Sequence, residues 1–343
     1  MRRLLNTLYI TQPESYLMLD GGNVSVSVDH QLIGKIPLIN LEGIVTFGRA
    51  GASPALMQEC LSQHIALSFL SPHGKFIGRV VGPSYGNVVL RKTQYARSFD
   101  KEQSCEIARN FIIGKLYNQR WQLERMTRDH GLVVDVDEFK AVSKKLNETL
   151  QMLSEVNDLE TLRGIEGNAA TQYFALFPQM VLQQRDDFKF NGRNRRPPKD
   201  RVNALLSFAY TLLAHDVASA LETVGLDAYV GFMHQDRPGR MSLALDVMEE
   251  LRGVFADRFV LRLINRQVIK ADQFVMAESG AVTLKDDARK LFLSEWQKRK
   301  QEQIVHPYLG EKIMWGLVPF CQAMLLARYL RGDLDEYPPF LWK

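Results

Sequence analysis

Residues 16–29 read YLMLDGGNVSVSVD, and the alternation in their second half decides the fold of the N-terminal part. Val24, Val26 and Val28 alternate with Ser25, Ser27 and Asp29, the period of two expected of a half-buried strand. Asp20-Gly21-Gly22 just before them is a turn signal, so the apolar run from Tyr16 to Leu19 reads as a strand entering that turn. Further out, Leu38 to Phe47, Ile65 to Leu70 and Lys75 to Val81 read as strands. Ser53 to Gln63 reads as a short helix, with Ser53 as its cap and Pro54 at the first helical position. Short strands with a single small helix predict a β-sandwich or a strongly twisted sheet.

Near residues 88–98 the period changes. Cys105, Ala108, Ile112 and Leu116 step at helical spacing, as do Phe139, Val142, Leu146, Leu150 and Leu153 behind a cap at Asp137. Ala204 to Val224 reads as a helix stopped by Gly225, and Ser242 reads as the cap of the next one. Lys285 to Gln303 and Ile313 to Leu330 complete the helical set. The expected fold class is α+β: an N-terminal β-sandwich over 1–92, then a larger all-α domain over 93–343. No internal repeat is visible.

The composition, 46% hydrophobic and 24% charged over 343 residues, is that of a soluble globular protein of one large domain or two. A net charge of +4 is too small to establish a nucleic-acid partner. Its distribution says more. Arg193, Arg195, Arg196, Lys199 and Arg201 face only Asp200 within nine residues, a local net of +4, and Pro197-Pro198 marks the segment as an exposed, mobile loop. The three cysteines, Cys60, Cys105 and Cys321, lack metal-ligand spacing and read as buried thiols of a reducing compartment. The N-terminus lacks the pattern of a signal peptide, and no apolar run approaches the ~20 residues that span a bilayer. A cytoplasmic location is expected.

Chemistry concentrates in two places. In Leu159, Leu162, Glu166, Ala169 and Tyr173 a carboxylate lies inside an apolar helical stripe, where a charge must be paired or bound to a metal. Gly164 and Gly167 flank it, each unfavourable in a helix, which suggests close approach of another backbone or of a ligand. The second place is GFMHQDRPGRMSLALDVMEELR, Gly231 to Arg252. Here His234 precedes a helix whose Asp246, Glu249 and Glu250 share an arc; that arc is either a solvated acidic face or a cation site. One imidazole with two carboxylates suits manganese or magnesium better than structural zinc. Arg237 and Arg240 are placed to reach phosphate oxygens, and the basic loop adds either a second phosphate surface or a solubilising one. Neither a Gly-rich phosphate loop nor a nucleophilic Ser/Cys–His pattern is present.

Three long motifs then resemble one family in family order. GIEGNAATQYF around Glu166, NRRPPKDRVNALLSFAYTLL from Asn194 to Leu213, and the stretch from Gly231 to Arg252 are similar to the CRISPR-associated integrase/endonuclease, the universal catalytic subunit of spacer acquisition. The ending YPPFLWK resembles the type I-C form. The resemblance implies a homodimer assembled through the β domains and a small ferredoxin-like companion subunit. It implies a Mg²⁺ or Mn²⁺ site on Glu166, His234 and Glu249, with Asp246 as an outer or second ligand. Some members carry Asp at the position of Glu249. The implied reaction is attack of a fragment's 3′-hydroxyl on a phosphodiester at the edge of a CRISPR repeat, on double-stranded or branched DNA. His234 is a ligand or a proton carrier; Arg195, Arg196, Lys199, Arg237 and Arg240 are the candidates for DNA backbone contacts. Two other readings remain: a DNA-binding scaffold with a vestigial site, and a stand-alone nuclease for branched DNA.

Overall fold

The computed structural model describes residues 6–72, 76–82, 88–194 and 197–343. It divides into two compact units, one of Met1–Tyr85 with Lys285–Glu302 and one of Gly86–Leu284 with Gln303–Lys343. The first unit is strand-rich and the second helical.

In the first unit the chain runs β1 (Asn6–Ile10), β2 (Tyr16–Asp20), β3 (Asn23–Val28), β4 (Gln31–Pro37), β5 (Leu41–Phe47), β6 (Gly51–Ala52), α1 (Pro54–Ser62), β7 (Ala66–Leu70) and β8 (Phe76–Arg79). Two four-stranded sheets result, ordered β1-β5-β7-β8 and β4-β3-β2-β6. β2 and β3 form the hairpin expected at Asp20-Gly21-Gly22, with both glycines at positive φ (55° and 76°) as a tight two-residue turn requires. Leu17, Val24 and Val26 from one sheet meet Ile10, Ile44 and Leu67 from the other, with Leu56 and Cys60 of α1 in the same core. β3 departs from the half-buried pattern. Ser25 and Ser27 are buried as well, and their hydroxyls donate to the Met18 and Tyr16 carbonyls of β2, each at 3.2 Å. The alternation marks the strand correctly, but small hydroxyls satisfied by the neighbouring strand need no solvent. Ser53 caps α1 as expected, accepting from the Leu56 N–H.

A helix from far along the chain, Asp286–Gln301, clusters with these strands, although the period alone groups it with the helical part. Its Arg289 donates to the Pro72 carbonyl and lies 5.9 Å from the Phe47 ring centroid, and its Lys300 is 3.4 Å from Glu42.

The second unit contains α2 (Val88–Phe99), α3 (Lys101–His130), α4 (Val136–Met152), α5 (Leu159–Ala175), α6 (Phe177–Met180), α7 (Arg201–Thr223), α8 (Ser242–Leu251) and α9 (Arg258–Asn265). Two short hairpins follow, β9 (Phe274–Met276) with β10 (Val282–Leu284) and β11 (Gln303–Val305) with β12 (Lys312–Met314); α10 is the helix Asp286–Gln301, and α11 spans Val318–Leu330. The 30-residue α3 is the spine, packed by α4, α5 and α8, while α7 lies against α8 and α11. Two caps differ from expectation. α4 starts two residues earlier, capped by Asp135 rather than Asp137, and α8 has no side-chain cap, because Ser242 turns its hydroxyl to the Gln235 carbonyl. α7 ends as expected before Gly225, at φ 90°. At 23 residues, α7 is long and apolar enough to cross a membrane, against the expectation of no such run. Leu205, Leu206, Ala209, Leu213, Val217 and Leu221 are buried in the unit, so α7 serves here as a core helix.

Candidate active site

α8 is ten residues long and carries Asp246, Glu249 and Glu250, all three buried at 0%, 2% and 0% exposure. The solvated-face alternative is thereby overturned. Nor do the three share a cation. Successive positions turn about 100° around a helix, so each acid meets a different neighbour.

Asp246 faces the loop that carries His234. One oxygen accepts the Phe232 and Met233 N–H groups at 2.7 and 3.0 Å; the other accepts the His234 N–H at 2.9 Å and lies 2.6 Å from His234 Nδ1. A carboxylate only accepts, so Nδ1 carries the proton and the Nε2 lone pair is left over. Asp246 therefore positions His234 and has no oxygen to spare for an ion. The loop is held from two further sides. Arg163 of α5 grips the Met233 carbonyl with Nε and Nη2, at 3.0 and 2.6 Å, and the buried Gln94 of α2 donates to the Asp227 and Val230 carbonyls, both at 2.8 Å. Gly231 is obligatory: a Cβ there would stand 2.7 Å from Asp246 Oδ2 and 2.9 Å from the Ser242 backbone carbon.

Glu249 faces Glu166 of α5 across Lys115 of α3. The Lys115 ammonium, 3% exposed, contacts Glu166 Oε1 and lies 2.8 Å from Glu249 Oε2. Arg252 holds the other oxygen of Glu249 at 2.9 Å. Burial alone would raise the Glu249 pKa, but Arg252, Lys115 and His234 together bring it down to about 2. Glu249 is thus a buried carboxylate held in its charged form. Arg252 opens a π-helical turn, Arg252–Asp257, in which Gly253 packs on Gln119 of α3. Such turns are rare and recur at functional sites. Arg252 also covers the Tyr210 ring at 5.1 Å, and Tyr210 and Tyr173 both donate to Asp257, which burial pushes to about 6.

Glu250 is committed elsewhere. It accepts from the Tyr337 hydroxyl at 2.6 Å, Gln322 Nε2 at 3.0 Å and the Phe340 N–H, tying the YPPFLWK segment to α8. Burial pushes it to about 8 despite these donors. The geometry separates Glu249 from Glu250 as two neighbours with different duties.

Glu166 and Glu249 thus meet across Lys115, and His234 meets Asp246, three positions before Glu249 on α8. Glu166 and His234 are the exposed members, at 22% and 18%. Gly164 and Gly167 are exposed, with no described protein atom within 4 Å of a Cβ built on either. Close approach of another backbone is ruled out among the described residues, and the helix beside Glu166 presents bare main chain. Arg237 is exposed and Arg240 half-buried, on the same loop as His234. In the basic loop, Arg195 and Arg196 lie outside the described residues. Lys199 is exposed, whereas Arg193 and Arg201 are tied into the fold through Asn203 and the Asp187 carbonyl. Sequence reasoning missed Lys115 and Arg252. Lys115 heads a buried polar row on α3 with Asn118, Gln119 and Gln122, and that helical spacing of polar residues was the available signal.

Among the described residues no three of His, Cys, Asp and Glu close around one point as a ready cation cage. The ammonium of Lys115 takes that place. The donor types still fit a hard divalent ion: two ionisable carboxylates plus an imidazole whose Nδ1 is anchored to a carboxylate, the arrangement that orients a metal-binding histidine.

The profile of the family described as CRISPR associated protein Cas1 matches residues 8–298. The CRISPR-associated endonuclease Cas1 1 of Chlorobaculum tepidum is 48% identical over 343 residues, with 100% of each chain covered. A solved casposase bound to integration product superposes with a TM-score of 0.84 at 23% identity, covering 99% of this chain and 95% of that one. A chain of a Cas6-RT-Cas1–Cas2 complex gives 0.81 at 22% identity, covering 99% of this chain and 36% of that one. The two solved structures share the fold. The chain belongs to the Cas1 family of CRISPR-associated proteins, whose curated relatives are named endonucleases.

Proposed function

We propose that the chain is a divalent-metal-dependent DNA endonuclease and integrase of CRISPR adaptation. It joins the 3′-hydroxyl ends of short DNA fragments to a repeat array by transesterification. The observation that carries this reading is the pairing of Glu166 and Glu249 across Lys115, with His234 anchored to Asp246 one turn earlier on α8, beside an open stretch of α5. In the reaction the fragment's 3′-oxygen bonds to phosphorus as the bond to the repeat strand's 3′-oxygen breaks, and the attacking hydroxyl's proton ends on the leaving oxygen. Water in place of the hydroxyl gives hydrolysis. When bound, Mg²⁺ or Mn²⁺ supplies Lewis-acid polarisation of the scissile phosphate. Glu166 and Glu249 would supply carboxylates to that ion, and Asp246 holds the imidazole by Nδ1, which would leave Nε2 as its ligand. Arg237, Arg240 and Lys199, with Arg195 and Arg196, bind the DNA backbone without reading sequence.

Double-stranded and branched DNA, a second copy of the chain and a small ferredoxin-like companion are the partners in this reading. One fold neighbour named as bound to integration product and another named as a complex with Cas2 support the first and the last. Three buried cysteines without disulfides suit a reducing cytoplasm.

The test is strand transfer of a 3′-hydroxyl fragment into a repeat target, with the companion, in Mg²⁺ and in Mn²⁺. Glu166→Ala, His234→Ala and Glu249→Ala are each expected to lose at least a hundredfold in rate while retaining DNA binding. Joining by the triple variant would overturn the site. Cleavage of branched DNA without joining, in the presence of the companion, would favour the repair nuclease instead.

A further inference from the structure

We infer that Lys115 is the resident counter-ion of this site, and that the ammonium must leave the gap between Glu166 and Glu249 for a metal to enter, moving to a phosphate of the bound DNA. The inference rests on the proposed metal site. Its ground is the charge balance. Glu166 and Glu249 bring two negative charges, and Lys115 and Arg252 bring two positive ones within contact distance. The cluster is already neutral. A divalent ion placed between the same carboxylates would stand against an ammonium that is 3% exposed, where the surrounding protein screens repulsion poorly. Both cannot hold the position together.

Of the two cations, Lys115 is the one able to yield. The Arg252 guanidinium is stacked on Tyr210 at 5.1 Å and fixed on Glu249 Oε1. Lys115 is a point charge on a flexible four-carbon stem. Its contact with Glu249 Oε2, at 2.8 Å, is a single charge pair rather than a two-pronged grip. Its partner Glu166 is 22% exposed, on a helix whose Gly164 and Gly167 leave bare main chain. A DNA phosphate brought to that face would receive the ammonium, so DNA should raise metal affinity and, by reciprocity, metal should raise DNA affinity.

The experiment is titration of the full chain with Mn²⁺, followed by electron paramagnetic resonance, with and without a DNA duplex. The proteins are wild type, Lys115→Met, Lys115→Gln, Lys115→Arg and Glu166→Ala. Without DNA, Lys115→Met and Lys115→Gln are expected to bind Mn²⁺ at least tenfold more tightly than wild type, and Lys115→Arg within about threefold of it. DNA should tighten Mn²⁺ binding at least tenfold in wild type and less than twofold in the two neutral variants. The neutral variants should also melt at lower temperature without metal and recover on adding Mn²⁺, since two carboxylates are then left facing each other. Either neutral variant, if folded, suffices. Equal affinity in wild type and the neutral variants, or an equal effect of DNA on all of them, would overturn the inference while leaving the metal site standing. Absence of binding in wild type and neutral variants alike, or full binding by Glu166→Ala, would overturn the metal site itself and the inference with it.

Discussion

The strand-rich unit and the helical unit solve burial in opposite ways. The first fills its core with Leu17, Val24, Val26, Ile44, Leu56 and Leu67, and the polar groups buried in its strands are serines and a threonine. Its buried cations, Arg289 and Lys300, come from α10 and meet the Pro72 carbonyl and Glu42. The second unit buries Lys115, Asp246, Glu249, Glu250 and Asp257 near its centre, with Asn118, Gln119 and Gln122 beside them. The acids and Lys115 are each held by partners, because an uncompensated buried charge is strongly destabilising. A dry core supplies stability directly. A charged core uses stability to hold atoms in a chosen place, which is what a reaction on phosphate needs.

Four substitutions test that contrast, in falling order of effect. Glu250→Ala removes the acceptor for Tyr337, Gln322 and Phe340 and should destabilise the helical unit by about 4 kcal/mol, read from urea unfolding. A loss under 1 kcal/mol would mean that the charged centre is not cooperative. Leu17→Ala leaves a cavity in the strand core and should lower stability by about 3 kcal/mol, with little dependence on salt. Glu249→Gln tests the ionic part by pH. The folded-state pKa of Glu249 lies below its ordinary 4.5, at about 2, so its contribution is present above pH 4.5 and lost as pH falls towards 2. The variant's stability should be flatter across that window by on the order of 3 kcal/mol at most. Equal slopes in melting temperature against pH would show that the pairing adds nothing. Ser53→Ala, at the cap of α1, should be worth only about 1 kcal/mol.

The contrast also explains what was legible in the sequence. Periodicity reports which face is dry, so β3, α1 and the turn at Gly21-Gly22 could be read directly. Glu166 was visible for the same reason, as a break in an apolar stripe. The choice between Glu249 and Glu250 was not, since adjacent carboxylates on one helix look alike until their neighbours are known; only family resemblance separated them. Asp246 could be named, as an outer or second ligand, but its hold on the loop could not be read, because three of its four contacts are main-chain N–H groups, which carry no residue identity. Lys115 was hidden because a lone lysine in a long helix ordinarily faces water. Arg252 lies three residues after Glu249, an ordinary helical spacing, but nothing in the sequence marks it as the partner of a buried acid. The placement of α10 was hidden for a different reason: its period says that it is a helix and nothing about which unit receives it.

That placement bears on how the protein is made. The strand-rich unit is discontinuous, and about 200 residues separate its strands from the helix that completes it. At roughly 5–20 residues per second, a ribosome takes on the order of 10–40 s to cover that distance. During that interval the strands lack α10, whose Phe292 and Trp296 are buried in the finished fold. The helical unit is therefore largely synthesised before the strand unit can close, so the element made first is among the last to finish folding.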